Sequence, residues 1–280
     1  MSAVIEHSRR RSLYDSLAHQ ARVVRVLAAA EFKLKYRESV LGYLWSLLKP
    51  LALFSILYVV FGHFFQLRGG LEDYPIYLLI GIVLWTFFLD ATTTTMVSLV
   101  VKGPLLRKMY FPRLIVPVST TAAAAMTFGI NLLAIAAFIA WNRIVPQVDW
   151  LLIPLLLLEL YLFAFGIAII LSTLYVRFRD MAPIWEVVAQ VLFYATPIIY
   201  PLTLVPYHWV RVLMMLNPFG QVVEDVRALV LYDSPPGTIL TATDVLGPGG
   251  RVYAIGIMLV VFAGGLLLFR RDEPSLAERV

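Results

Sequence analysis

The residues able to do chemistry are few and scattered. His7, His19, His63 and His208 show no metal-ligand spacing,. Without any cysteine, disulfides, thiolate zinc sites and a Cys nucleophile are excluded,. Neither a Gly-x-Ser-x-Gly elbow nor a Walker A phosphate loop occurs, so any ATP used must be bound by another chain,. Two carboxylates stand out because they fall inside long apolar stretches: Asp90, followed by Thr92–Thr95, and Glu159. Acids at such depth are candidates for relays, ion sites or pathway linings. The alternative is that neighbours such as Thr93, Asn131 or Gln190 cap them and fix helix packing. No lysine or arginine is evident as an intramembrane partner for either acid.

Aromatic spacing suggests a second kind of site. Phe54, Tyr58, Phe61 and Phe65 recur at i, i+4, i+7 and i+11, which on an α-helix makes one stripe,. Trp185, Phe193, Tyr194 and Tyr200 add a second aromatic group. Rings with a polar handle can stack on sugar faces, and they also pack between helices or anchor at a membrane interface.

The elements that must position these residues follow from composition. Hydrophobic residues are 60% and charged residues 15% of 280, far from an ordinary soluble domain. The chain reads as an all-α integral membrane protein. Six stretches are long enough to cross the bilayer, near 44–66, 76–100, 114–141, 151–176, 182–200 and 252–269. Residues 1–37 form an N-terminal segment, 38–270 the membrane domain and 271–280 a tail. The segment 12–36 reads as an amphipathic helix lying on the membrane face. Of 23 Lys and Arg residues, 18 fall on one side of this arrangement. Both termini are therefore expected in the cytoplasm. The excess positive charge reads as topology and makes a nucleic-acid partner an unfavourable reading.

Residues 205–232 are apolar but divided by Asn217-Pro218, an N-cap followed by proline at the first helical position,. A seventh span here would bury Arg211, Glu224, Asp225 and Arg227, each at roughly 2.5–3.5 kcal/mol. Two short re-entrant helices are cheaper. In the second, the apolar residues follow helical spacing, with Gln221, Glu224, Asp225 and Arg227 expected largely on other faces. Ser234–Gly250 reads as an exposed loop. The loop 102–113 mixes Lys102, Arg107, Lys108 and Arg113 with Tyr110 and Phe111, then Pro112. It suits either a short helix docking into a protein groove or an interfacial anchor.

Three motifs then resemble one family. Phe32-Lys33-Leu34-Lys35-Tyr36-Arg37-Glu38-Ser39-Val40-Leu41-Gly42-Tyr43-Leu44-Trp45-Ser46-Leu47-Leu48-Lys49-Pro50 resembles the N-terminal signature of ABC-2 permeases that export O-antigen, capsule or teichoic acid. Leu106-Arg107-Lys108-Met109-Tyr110-Phe111-Pro112-Arg113 resembles their coupling segment. Leu216-Asn217-Pro218-Phe219 with Val226-Arg227 resembles the segment before their last span.

The resemblance implies a homodimer joined to two ABC ATPase subunits, which bind the ATP and Mg, so that this chain needs no cofactor or metal of its own. Glu31, Lys33, Lys35, Arg37, Arg107, Lys108, Tyr110, Phe111 and Arg113 would meet the ATPase. Phe54, Tyr58, Phe61, Phe65 and Tyr194 would line a glycan path. Asn217, Pro218, Phe219, Glu224 and Arg227 would belong to an outer gate. The implied substrate is a polyprenyl-diphosphate-linked glycan in the cytoplasmic membrane of a bacterium, its head group attracted by Lys33, Lys35, Arg37 and Lys49. An ABC-2 exporter of drugs or small lipids, a carboxylate-coupled secondary transporter and a membrane glycosyltransferase are the competing readings.

Overall fold

A computed structural model describes residues 2–35, 37, 41–66, 70–71, 73–108 and 112–279; of these, the side chains of 2–17, 107–108 and 274–279 lie outside the description. The described chain is helical, with no strand among the described residues. Helix α1 (Ser2–Leu34) precedes α2 (Leu44–Leu57), which continues as a π-helix through Phe64. Then come α3 (Tyr74–Val101), the short α4 (Gly103–Lys108), α5 (Ile115–Trp141) and α6 (Ile153–Arg177). Helices α7 (Met181–Ala195), α8 (His208–Leu216), α9 (Pro218–Val230), α10 (Ala242–Leu246) and α11 (Gly250–Arg279) complete the order.

Five of these stretches are long and apolar enough to cross a membrane: Leu44–Phe64, Tyr74–Val101, Ile115–Trp141, Val148–Arg177 and Gly250–Glu273. The stretch expected at 182–200 is helical only as far as Ala195. Its 15 residues rise about 22 Å, short of a hydrocarbon core of about 30 Å. Thr196–Ile199 continue as buried non-helical chain.

Helix α3 is the axis of the bundle. It is buried on nearly every face and packs on α5 and α6. Helices α6 and α11 cross closely because Gly166 and Gly265 carry no side chain. A Cβ at Gly166 would lie 2.8 Å from the Phe262 backbone, and one at Gly265 would lie 2.7 Å from the Gly166 carbonyl. This is the small-residue contact by which apolar helices approach where no hydrophobic effect drives them together. Helix α1 lies along α5, with Ala28 buried at the seam while Val26 and Leu34 face outward.

Three local expectations need correcting. The aromatic stripe of the first span is not continuous, because the π-helix Tyr58–Phe64 changes the residue period midway,. Phe54 turns into the bundle against Phe138, with ring centroids 5.4 Å apart, whereas Phe65 is 66% exposed. Helix α9 does not segregate its charges: Gln221, Glu224, Asp225 and Arg227 are all buried, as are Phe219, Val222, Val223, Val226 and Val230. The stretch 234–250 contains α10, whose capping box joins Thr241 and Asp244. Ala242 and Val245 of α10 pack against Leu202 and Met215.

Candidate functional site

Polar chemistry concentrates at the two ends of the bundle. One end carries α4, the start of α5 and the end of α11, and is rich in Lys and Arg; the other carries α8–α10. At the basic end, Lys102 caps α3 and turns its ammonium back onto Glu31 of α1 and the hydroxyl of Thr120, the latter at 2.7 Å. Ser119 donates to the same Glu31 oxygen at 3.0 Å. Burial pushes the Lys102 ammonium below its ordinary value, and Glu31 opposes that shift,. One turn later, Lys35 grips both oxygens of Asp90, at 2.8 and 2.7 Å. The expectation that Asp90 lacks a basic partner is therefore corrected. The partner comes from the chain before the first span, 55 positions away.

This ion pair borders a cavity of about 390 Å³ between α2, α3 and α5, lined also by Trp45, Lys49, Thr86 and Asn131. The Asn131 side-chain oxygen is buried there without a hydrogen-bond partner. Ser46, also on the lining, stands three residues before Lys49, a Ser-x-x-Lys spacing seen in acyl-enzyme nucleophiles,. Its hydroxyl instead donates to the Tyr43 carbonyl at 2.6 Å.

Among the other residues expected to meet a partner, Lys33 and Arg37 are exposed. Arg113 donates to the Glu273 carbonyl and so ties the start of α5 to the last helix. Tyr110 and Phe111 lie outside the described residues, as do the side chains of Arg107 and Lys108, whose backbone belongs to α4.

The opposite end is organised around Arg227, which is wholly buried. Its guanidinium donates to the carbonyls of Tyr77 (2.9 Å), Pro197 (2.6 Å) and Ile198 (2.8 Å), and to Glu224 (2.7 Å). It lies 3.4 Å from the centroid of the Tyr77 ring. Tyr77 also donates to Glu224 at 2.8 Å, and Tyr74 donates to the Ile199 carbonyl at 2.7 Å. The non-helical segment after α7 thus has its successive carbonyls met by side chains of α3 and α9. That is how irregular backbone survives away from water. Gly81 makes the room, since a Cβ there would collide with the guanidinium.

Asn217 caps α9 as its spacing indicates, its side-chain oxygen accepting from the Phe219 amide at 3.1 Å. Pro218 opens the helix, and Phe219 is buried between Trp85 and Phe88. Asp225 accepts from Arg251 at 2.9 Å and from Gln221 at 3.2 Å. Burial pushes the Glu224 and Asp225 carboxyls up, against the opposing pull of Arg227 and Arg251 respectively. Glu159 is buried, and its Oε1 has no hydrogen-bond partner.

The aromatic residues divide. Phe54 and Tyr58 stack at 5.8 Å and line a cavity of about 450 Å³ with Phe138 and Trp141. Tyr58 continues towards Tyr74 at 6.4 Å and Tyr77 beyond it. Phe61 stacks on Phe65 at 5.8 Å, and Tyr194 is 56% exposed beside Phe193. The first set faces the bundle; in the second, Phe61 is half-buried against the core while Phe65 and Tyr194 face outward. Tyr74, Tyr77, Gly81 and Arg251 carry the cluster around Arg227 and Asp225 and were not singled out by spacing, because each acts on partners distant in the chain.

Comparisons with known proteins agree with this architecture. A family model described as ABC-2 type transporter matches residues 22–231. The chain is similar to an O-antigen export system permease protein RfbA of Klebsiella pneumoniae, 30% identical over 256 residues, covering 90% of this chain and 93% of the relative. RfbA of Myxococcus xanthus is 28% identical over 249 residues, covering 88% and 92%. The polysialic acid transport protein KpsM of Escherichia coli is 25% identical over 260 residues, covering 90% and 94%.

Proposed function

This chain belongs to the ABC-2 type transporter family, and we propose that it is the membrane-spanning permease of an ATP-driven exporter of lipid-linked cell-envelope polysaccharide. The observation that carries the reading is its end-to-end similarity to proteins named for O-antigen export and polysialic acid transport.

In this reading the chain sits in a bacterial cytoplasmic membrane with both termini inside, a placement supported by the distribution of Lys and Arg. Helix α7 is the sixth crossing, completed by the buried chain of Thr196–Ile199. Helices α8 and α9 are re-entrant and form an outer gate. Two copies of the chain pair with two ABC ATPase subunits, which hold ATP and Mg and carry out the hydrolysis. The ATPases meet α4, the residues that follow it to Arg113, and the exposed face of α1 around Lys33 and Arg37. Their closure is passed through α4 into α3, the axis of the bundle, and rearranges the helices that border the path. Exposed rings such as Phe65 and Tyr194 meet sugar faces in this reading, and Phe54 and Tyr58 pack on the bundle side of the first span,. The substrate is a glycan on a polyprenyl diphosphate. Its head group is drawn to the basic end, where Lys33, Arg37 and Lys49 supply cations.

Depleting the protein in its host and analysing the lipid extract by mass spectrometry tests this. Accumulation of polyprenyl-linked glycan, with loss of that glycan from the cell surface, is expected. An unchanged lipid-linked glycan pool refutes polysaccharide export and leaves a smaller amphiphile as the cargo.

A further inference from the structure

The junction between α3 and α4 is fastened to α1 by one residue. Lys102 belongs to two helices at once. Its amide closes α3 on the Ser98 carbonyl at 2.9 Å, and its own carbonyl accepts the amides of Leu105 and Leu106, each at 3.0 Å, in the first turn of α4. The backbone at Lys102 therefore sets the direction in which α4 leaves the membrane helix. Its side chain is held in turn by Glu31 of α1 and Thr120 of α5, while Ser119 of α5 secures Glu31. Four helices, α1, α3, α4 and α5, meet in this joint.

Its position distinguishes it from an orientation signal. A lysine needed only for topology extends its ammonium to head groups and water. Lys102 does the reverse: its side chain is 19% exposed, as is that of Glu31. Lys35 and Asp90 make a second and more open contact between the same two elements, 38% and 23% exposed. It lies about 18 Å further along α3 at 1.5 Å per residue. Helix α1 is thus attached to α3 at two separated points and cannot swing freely about the first.

We propose that Glu31 is a positioning residue for transport: by holding Lys102 it fixes the direction of α4 relative to α1 and α5. A push on α4 is then delivered to the membrane helices instead of being absorbed at the α3–α4 junction. Glu31 need not touch cargo or ATPase to do this. The inference rests on the reading of α4 as the segment that the ATPase pushes.

The test compares Glu31→Lys with the exchanged pair Glu31→Lys/Lys102→Glu, in the complete complex of permease and ATPase. Thr120 and Ser119 are hydroxyls that donate or accept, so the exchanged pair can rebuild the joint. Three quantities are read: the amount of assembled complex, its rate of phosphate release from ATP, and the cell-surface glycan made by a host whose own permease is absent. Glu31→Lys is expected to assemble and hydrolyse ATP within about twofold of the parent. Surface glycan should fall about fivefold or more, the lower end of coupling between linked sites. The exchanged pair should restore it.

A parallel fall in assembly and export, or an exchanged pair no better than Glu31→Lys, overturns the proposal and leaves a joint that serves stability alone. Arg107→Glu/Lys108→Glu separates this failure from failure of the reading beneath it. If that variant uncouples hydrolysis from export while Glu31→Lys does not, only the role of Glu31 is wrong. If neither uncouples, α4 is not the segment that the ATPase pushes and the proposal falls with that reading.

Discussion

Replacing Arg227 by alanine should be among the most damaging single changes in this chain. The guanidinium donates to three backbone carbonyls and to Glu224, all in a site closed to solvent. Removing it leaves the Glu224 carboxylate buried with only Tyr77 as a donor among these contacts. It also strips the Pro197 and Ile198 carbonyls of the guanidinium that satisfies them. Breaking a buried ion pair from one side costs about 3–5 kcal/mol. For a chain of this size each kcal/mol moves the midpoint by about 2–4 °C, so a fall of at least about 6 °C is expected. Tryptophan fluorescence of the purified protein during heating reports it. Gly81→Ala should fall in the same direction, because its new methyl meets the guanidinium and stands 3.1 Å from the Ile198 carbonyl. Adding Gly81→Ala to Arg227→Ala should then cost less than it does alone, since the obstructing group is gone. An Arg227→Ala protein that melts within about 2 °C of the parent refutes the reasoning. So does full additivity of the two changes.

Two further outcomes follow from the packing. Gly265→Leu puts a side chain where even a Cβ lies 2.7 Å from the Gly166 carbonyl. It should therefore force α6 and α11 apart and abolish recovery of folded protein, as read by size-exclusion chromatography; normal recovery shows that the crossing is loose. Asp90→Asn should be mild, because a half-exposed ion pair is worth about 0–1 kcal/mol, or no more than about 4 °C in the same melting assay. A larger loss shows that Lys35 and Asp90 are effectively sealed from water.

Much of the architecture was legible because it is written in local patterns. Apolar runs of about 20 residues mark five crossings,. Asn217-Pro218 marks the start of α9, and the cap is observed. The resemblance of residues 32–50, 106–113 and 216–219 to ABC-2 permeases agrees with the family match. What local pattern could not show was where each charge goes. In α9, Glu224, Asp225 and Arg227 fall largely off the apolar face because periodicity counts neighbours along one helix. Their partners Tyr77 and Arg251 lie on other helices, 147 and 26 positions away from Glu224 and Asp225. The aromatic stripe failed for a different reason. A fixed α-helical period was projected through Tyr58–Phe64, where the helix is wider. Gly62 permits this local packing, since a Cβ there would lie only 3.0 Å from the Tyr74 ring.

The two polar clusters also explain each other. Directional contacts fix the axial position and rotation of α3 at several points along its length, among them the buried Thr95–Thr121 hydrogen bond to α5 at 2.9 Å,. Others come from Tyr74 and Tyr77, which hold the chain after α7, and from Asp90 and Lys102, which hold Lys35 and Glu31 at the end of α1. Each cluster joins α3 to a segment that is not one of the five long apolar helices. At one end that segment is the buried strap of Pro197–Ile199; at the other it is the last turn of α1. A displacement of α3 along its axis must therefore disturb both clusters together, because their hydrogen bonds have short reach and both are made to the same helix. If α3 is what the ATPase moves, Arg227 and Glu31 feel the same stroke. Combined weakening of the two ends should then cost more transport than the product of the separate losses, with surface glycan as the readout. Strict multiplicativity implies that the two ends move independently and that α3 does not act as a single rigid body.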